Sequence, residues 1–392
     1  MKLVRRFKKK RSCVMFSLKE DKNIGDAILG ESTLWLCRTL QPSYRFRLLD
    51  LKGRVNKNTL FFSVFFPLYV LKKFAFLLGN DTLGETISKQ LFLLYLEWYA
   101  RTADFIIFAG GGIIETEHYN CAFFINLITE FAERKNIPLA YNAVGFNGTF
   151  NVSYSGYQML KKCLHSPNVI SVSVRENLDE MTEAYGVSSS LVSDSAVWSA
   201  DAYGVKKEDS CEPLIGVNVI RPGCFAEFGV HFSESQLLDF YIGLAHELES
   251  MGMKWQLFTN GAPKDEPFLK QLSQALNASD RQIARRQKNG TGFLRLLSRY
   301  RAVFCTRMHA SICCYSLRIP TVALRWNPKQ NFFYEATENS DNLFSVENAD
   351  VKEVADRLKK SMTVPWNDSH YDYYRNLVMV SLKNILTLRI CQ

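Results

Sequence analysis

The chain has 392 residues, of which 47% are hydrophobic and 22% charged, with a formal net charge of +9. That length exceeds what one compact core usually covers, so two domains are the default, and the ordinary composition excludes disordered and fibrous classes. Of the ten cysteines only Cys313 and Cys314 are adjacent, and no C-x-x-C pair or H-x-x-x-H spacing occurs. Neither a zinc site nor a disulfide framework is therefore expected; free buried thiols in a reducing cytosol are.

The chain opens on the basic run Lys2–Arg11 (KLVRRFKKKR). It reads as a solvated tail, or as a segment that holds the protein near anionic lipid. Cys13–Leu18 is a first strand, too short to be the apolar region of a signal peptide. Asn23-Ile24-Gly25-Asp26 follows it and leads into a helix through Ala27–Leu36. Asn23 and Asp26 suit turns and caps, and Asp26 at a strand's carboxyl end is also a candidate base. After a second strand at Phe46–Leu49 comes the apolar stretch Leu60–Leu78, whose longest uncharged run, Thr59–Leu71, stops at Lys72 and Lys73. That falls short of the ~20 apolar residues that span a bilayer. Burial is the commoner outcome for such a run; the alternative is a surface dipping into a membrane interface.

Apolar spacing at three and four residues predicts helices over Ile87–Tyr99 and Ala122–Lys135. Between them the strand Phe105–Ala109 enters Gly110-Gly111-Gly112, which predicts a tight strand–helix turn where a ligand or another chain could approach the backbone. Glu115 stands where the dinucleotide fingerprint needs its last glycine, so a nicotinamide oxidoreductase is disfavoured. Strands at Leu139–Val144, Val169–Val174 and Ser190–Val192 complete the first half. Arg175 and Asp194 each follow one of them.

The polar link Ala202–Glu212 suggests a domain boundary: a first lobe of residues 1–205 with an apolar insertion near 58–98, and a second of 206–370. The second half restarts the rhythm with strands at Leu214–Val219, Trp255–Thr259, Ala302–Cys305 and Thr321–Leu324, and helices near Leu237–Met251 and Pro267–Leu276. Residues 371–392 form a closing amphipathic helix expected to brace the first lobe. Strands alternating with helices predict parallel sheets and an α/β class.

The clearest chemistry lies in Ala302–Pro320, where a buried strand turns at Thr306-Arg307-Met308-His309 into a helix. In open parallel sheets ligands bind beyond the carboxyl ends of strands, where helix N-termini present free N–H groups to anions. Two residues apart in an extended turn, Arg307 and His309 would point the same way, setting a permanent cation beside a proton-transfer group. A structural ion pair at Arg307 and a capping role for His309 explain the same residues.

Asn23-x-Gly25-Asp26, Gly110-Gly111-Gly112, Ser173-Val174-Arg175-Glu176, Asp194-x-Ala196, Arg307-x-His309, and Lys329 with Phe333 occur in the order seen in polysaccharide pyruvyl transferases, which this chain resembles over about residues 20–340. The resemblance implies two Rossmann-like lobes facing a cleft, as in GT-B glycosyltransferases. It implies phosphoenolpyruvate as donor and a sugar of a surface polysaccharide or lipid-linked oligosaccharide as acceptor. On that likeness Arg175, Arg307 and Lys329 bind the donor and His309 and Asp26 move protons. Gly25 and Gly110–Gly112 line the cleft, and Asn23, Glu115 and Asp194 fall toward the acceptor. No metal, cofactor or nucleic acid is called for. The expected location is the cytoplasm, with peripheral contact at the inner membrane and an undetermined oligomeric state. A nucleotide-sugar glycosyltransferase and a non-catalytic glycan-binding protein share the architecture and remain alternatives, because fold does not fix function.

Overall fold

The computed structural model describes residues 10–20, 23–116, 119–147, 151–208 and 213–388. Most of the basic opening run and the end of the 202–212 link lie outside them. The chain divides into two compact units, one of Met1–Glu20, Leu34–Ser190 and Ser381–Gln392, the other of Asp21–Thr33 and Leu191–Val380. The division after Ser190 falls upstream of the polar link. The second unit also takes the start of the helix Ile24–Leu40 (α1), which the reading of the sequence had left with the first lobe.

The first unit is built on six strands, β1 (Ser12–Ser17), β2 (Arg45–Asp50), β3 (Phe105–Glu115), β4 (Leu139–Asn147), β5 (Val169–Val174) and β6 (Ser190–Leu191), in the order β2-β1-β3-β4-β5-β6. The ladders joining β2, β1, β3, β4 and β5 are parallel. Parallel sheets are covered on both faces, so their central strands read as continuous apolar runs; β1 and β3 do, and Phe16, Phe108 and Tyr141 are fully buried between helices.

The glycines do not form a turn after β3. The strand runs on through them to Glu115, and the register with β4 shifts between Gly111 and Ile114. Gly110 and Gly111 take φ of 61° and 84°, a region other residues enter at a cost. A bulge within a strand, rather than a loop after it, is what three glycines between Ala109 and Ile113 produce here.

Two helices, α2 (Leu60–Leu77) and α3 (Asp81–Tyr99), form the apolar insertion. Thr59 and Asn80 cap their N-termini, accepting from the N–H groups of Phe62 and Leu83. Only Phe61 and Ala75 of α2 are buried. Burial, the commoner expectation for the apolar run, is thus overturned. α3 carries the packing face through Ile87, Leu91, Phe92, Tyr95 and Leu96, and most of α2's apolar surface is left with nothing to cover it.

The second unit holds β7 (Leu214–Asn218), β8 (Lys254–Phe258), β9 (Ala302–Cys305), β10 (Thr321–Arg325) and β11 (Leu343–Ser345), all parallel, in the order β11-β10-β9-β7-β8. The short edge strand β11 gave no periodic signal. The closing helix spans Asp368–Thr387. Within the second unit the Tyr371 hydroxyl donates to the Ser316 carbonyl and the Arg375 guanidinium stacks 3.7 Å over Trp198. Its last turns belong to the first unit, where Ser381 donates to Asn142. All eight described cysteines are free and buried.

Candidate functional site

Both sheets reverse strand order once. In the second unit the reversal lies between β7 and β9, so a crevice opens beyond their carboxyl ends, the favoured ligand position in this class of sheet. Asn218 ends β7, and Thr306 and Arg307 follow β9. The buried Asn218 amide ties the ends together: its Oδ1 accepts from the Arg307 N–H at 3.0 Å and its Nδ2 donates to Asn260 Oδ1 at 3.0 Å. Those bonds fix which way both amides face, because a backbone N–H can only donate. The Nδ2 of Asn260, also buried, has no hydrogen-bond partner among the described residues.

Arg307 is the extended N-cap of the helix Met308–Ser316. Its Nε and Nη2 each donate to Asp265 at 2.7 Å, and Asp265 is fully buried. Burial works against the guanidinium's charge, but the paired carboxylate outweighs it and holds the pKa above the ordinary value. The carboxylate occupies one edge of the fork and Cys224 Sγ accepts from Nη2 at 3.8 Å, which leaves Nη1 for another acceptor. The structural ion pair weighed for Arg307 thus exists, and it orients the group rather than consuming it. Arg221 adds a second cation nearby: its backbone N–H donates to Asp265 at 3.2 Å, and its own guanidinium pairs with Glu227.

His309 follows a different path. It sits inside the helix rather than on an extended turn, so the expectation that it and Arg307 point together from an extended segment is not met. The guanidinium turns to Asp265, whereas the ring turns to α1. A Cβ built on Gly25 would lie 2.3–2.5 Å from His309 Cγ, Nδ1 and Cβ, so only glycine fits beneath the imidazole. The turn before α1 is set by Asn23, whose Oδ1 accepts from the Gly25 N–H at 3.1 Å. Ile24 packs onto Gly261 from the loop after β8. Asp26, in the first turn of α1 and half-buried, is therefore one residue from the backbone that His309 covers.

The remaining predicted residues scatter. Asp194 is buried and caps a short 3₁₀ turn, accepting from the Ala196 N–H at 2.7 Å. Lys329 opens the helix Lys329–Ala336, half-buried, its N–H bonded to Asn327. Arg175 and Glu115 belong to the first unit. Arg175 is 4% exposed in its side chain and pairs with Glu176 at 2.8 Å, and Glu176 also accepts from the Phe146 N–H. Glu115 ends β3. The structure therefore brings the turn of Asn23, Gly25 and Asp26 to His309, with Arg307 two residues before it and turned to Asp265.

A sequence profile described as polysaccharide pyruvyl transferase matches residues 23–328, from the turn of Asn23 to the residue before Lys329. The chain belongs to the polysaccharide pyruvyl transferase family. No curated protein sequence matches it. Among solved structures it is similar to the UDP-GlcNAc 2-epimerase of Methanocaldococcus jannaschii (12% identity, 97% and 100% of the two chains, TM-score 0.53). It is also similar to a UDP-forming trehalose-phosphate synthase of Burkholderia xenovorans (9% identity, 96% and 98% covered, TM-score 0.52). These likenesses show the fold alone, a GT-B-type α/β architecture of two parallel sheets.

Within this family member the sequence reading missed Asn218, Asn260, Asp265 and Arg221. Asn218 and Asn260 carried a usable signal: each lies at the carboxyl end of a predicted strand. Asp265 carried none, since an aspartate before a helix reads as a cap.

Proposed function

We propose that the protein transfers pyruvate from phosphoenolpyruvate, as a ketal, to a sugar of a surface polysaccharide or of its lipid-linked precursor. Family membership and the pairing of an oriented guanidinium with an imidazole at the second sheet's switch point support this reading. The contact of the His309 ring with Gly25 carries it, because it sets a proton-transfer group, a helix N-terminus and Asp26 in one place.

The donor carries a carboxylate and a phosphate. Arg307, held edge-on by Asp265, binds one of these oxyanions, with Arg221 and the N–H groups opening the helix Met308–Ser316 beside it. Lys329 is a further donor ligand on this reading. His309 protonates the enol methylene, which becomes the methyl group. A sugar hydroxyl then attacks the adjacent carbon while losing its proton to Asp26, and the carbon–oxygen bond to phosphate breaks. A second hydroxyl closes the ketal as its proton leaves with phosphate. The sum is donor plus diol to ketal plus phosphate, so no resident cofactor is drawn on. Fixed cations act most strongly where charge develops away from water. The reaction would take place on the cytoplasmic side, where the donor is made.

The test is incubation with phosphoenolpyruvate and free or lipid-linked sugars, following phosphate release and product mass. A product carrying a pyruvate ketal, lost in His309→Ala and Arg307→Ala, supports the proposal. Turnover with a nucleotide sugar and none with phosphoenolpyruvate overturns it.

A further inference from the structure

The helix α2 leaves an apolar face uncovered along its whole length. Leu60 is 68% exposed, Phe66 51%, Phe74 58% and Leu77 72%, and Leu78 beyond its end is 80% exposed. Spaced at 3.6 residues per turn, Leu60, Val64, Phe66, Val70, Leu71, Phe74 and Leu77 fall on one side, interrupted only by Ser63 and Pro67. The opposite side, with Phe61 and Ala75, is fixed to α3 and the first unit's core. A contiguous apolar strip of this kind on a folded protein marks a surface made to be covered.

We propose that this face of α2 docks the protein on an anionic membrane surface, the helix lying in the interface between headgroups and acyl chains. Charge points to lipid. The only charged residues of α2 are Lys72 and Lys73, with Lys57 just before it, and its first turn holds no acid. The nearest carboxylates in sequence, Asp81 and Glu85, sit on α3. Lys73 is exposed beside the apolar strip, placed to meet anionic headgroups. The net charge of +9 adds a general attraction to acidic lipid.

Dimensions argue against a second copy. Eighteen residues make a helix about 27 Å long, and a strip about 10 Å wide covers roughly 300 Å², well under the ~800 Å² per partner of a stable dimer. The same length falls short of the ~30 Å hydrocarbon core. A helix fixed by one side to a folded unit, with its apolar side outward, lies on a bilayer rather than across it. This inference deepens the transfer reading, since a docked enzyme would meet a lipid-linked acceptor, and it rests on that reading only for its purpose.

Full-length protein is sedimented with vesicles of phosphatidylethanolamine and phosphatidylglycerol, and with vesicles of phosphatidylcholine alone, with neither donor nor acceptor present. Binding to the anionic vesicles is expected, weakened at least about tenfold in the triple variant Phe66→Ser, Phe74→Ser, Leu77→Ser. Lys72→Glu with Lys73→Glu is expected to weaken binding to anionic vesicles alone, and thermal unfolding of both variants reports that the fold is kept. Absence of vesicle binding, or equal binding by the triple variant, overturns the proposal. So does a dimer in sedimentation velocity that the triple variant converts to monomer. Because no turnover is read, failure of the transfer chemistry leaves this result unaffected.

Discussion

The imidazole of His309 lies directly on the backbone of Gly25: a single carbon added to Gly25 would come within 2.3 Å of the ring. Two motifs 284 positions apart in the chain are thereby locked into one site, and α1 enters the second unit through that contact. Gly25→Ala should move the ring or the helix by about an ångström, the distance from 2.3 Å to ordinary contact. Displacement of that order costs up to ~100-fold in rate when it shifts a reacting group. The expected outcome is a loss of kcat approaching that of His309→Ala, with the thermal midpoint lowered by only a few degrees. Full activity in Gly25→Ala would show that the position of His309 does not matter to the chemistry.

Asp265 is the residue on which the orientation of Arg307 depends. It is fully buried, and it receives both guanidinium donors as well as the Arg221 N–H. Breaking a buried pair by removing one partner strands the other charge and costs about 3 kcal/mol or more. Asp265→Ala should therefore lose stability on that scale, read by urea unfolding, and lose donor affinity as well. Adding Arg307→Met should restore much of the stability and none of the activity. If the double variant is no more stable than Asp265→Ala, the pair is not what Asp265 serves.

The bulge in β3 makes a separate demand. Gly111 holds φ at 84°, and its nearest non-neighbour, Ile113, would lie 3.7 Å from an added Cβ, so space is available and backbone conformation is the constraint. Gly111→Ala should destabilise the first unit by about 1–2 kcal/mol through strain alone. Gly112, which lacks a positive φ, should tolerate alanine better. Urea unfolding of the two variants side by side separates conformation from packing; equal losses would rule conformation out.

What the sequence disclosed and what it concealed follow from physical range. Strands such as Val169–Val174 and Ala302–Cys305 are short, apolar and bounded by polar residues, so local pattern suffices to find them. The proximity of Asn23, Gly25 and Asp26 to His309 was suggested by family likeness, yet the ring-on-glycine contact joins residues no local pattern relates. Asp265 was invisible because its partner lies 42 residues on. The glycine run misled because three glycines after an apolar strand read equally as a turn or as a bulge, and the pairing with β4 decides between them. The exposed face of α2 was misjudged for a similar reason: composition measures how apolar a helix is, not whether the fold has anything to place against it.

The buried thiols set the protein's behaviour in alkali. Burial pushes the Cys163 thiol up to about 11 and that of Cys313 to about 12, against an ordinary value of 9.0. The folded state thus keeps these protons at a pH where the unfolded chain has released them. Stability from this source is complete below pH 9 and declines as pH rises toward 11 and 12, by about 1.4 kcal/mol per pH unit for each thiol. Thermal midpoints measured in reductant should hold steady up to about pH 8.5 and fall above it. The fall should be shallower in Cys313→Ala, which also creates a small cavity and so starts from a lower midpoint. Alkylation should run in parallel: native protein at neutral pH should leave Cys163 and Cys313 unmodified by iodoacetamide, and urea should expose both, because the thiolate is the reacting form. Rapid labelling of Cys313 in the folded protein would mean that the helix Met308–Ser316 opens readily, and with it the site that begins at Arg307.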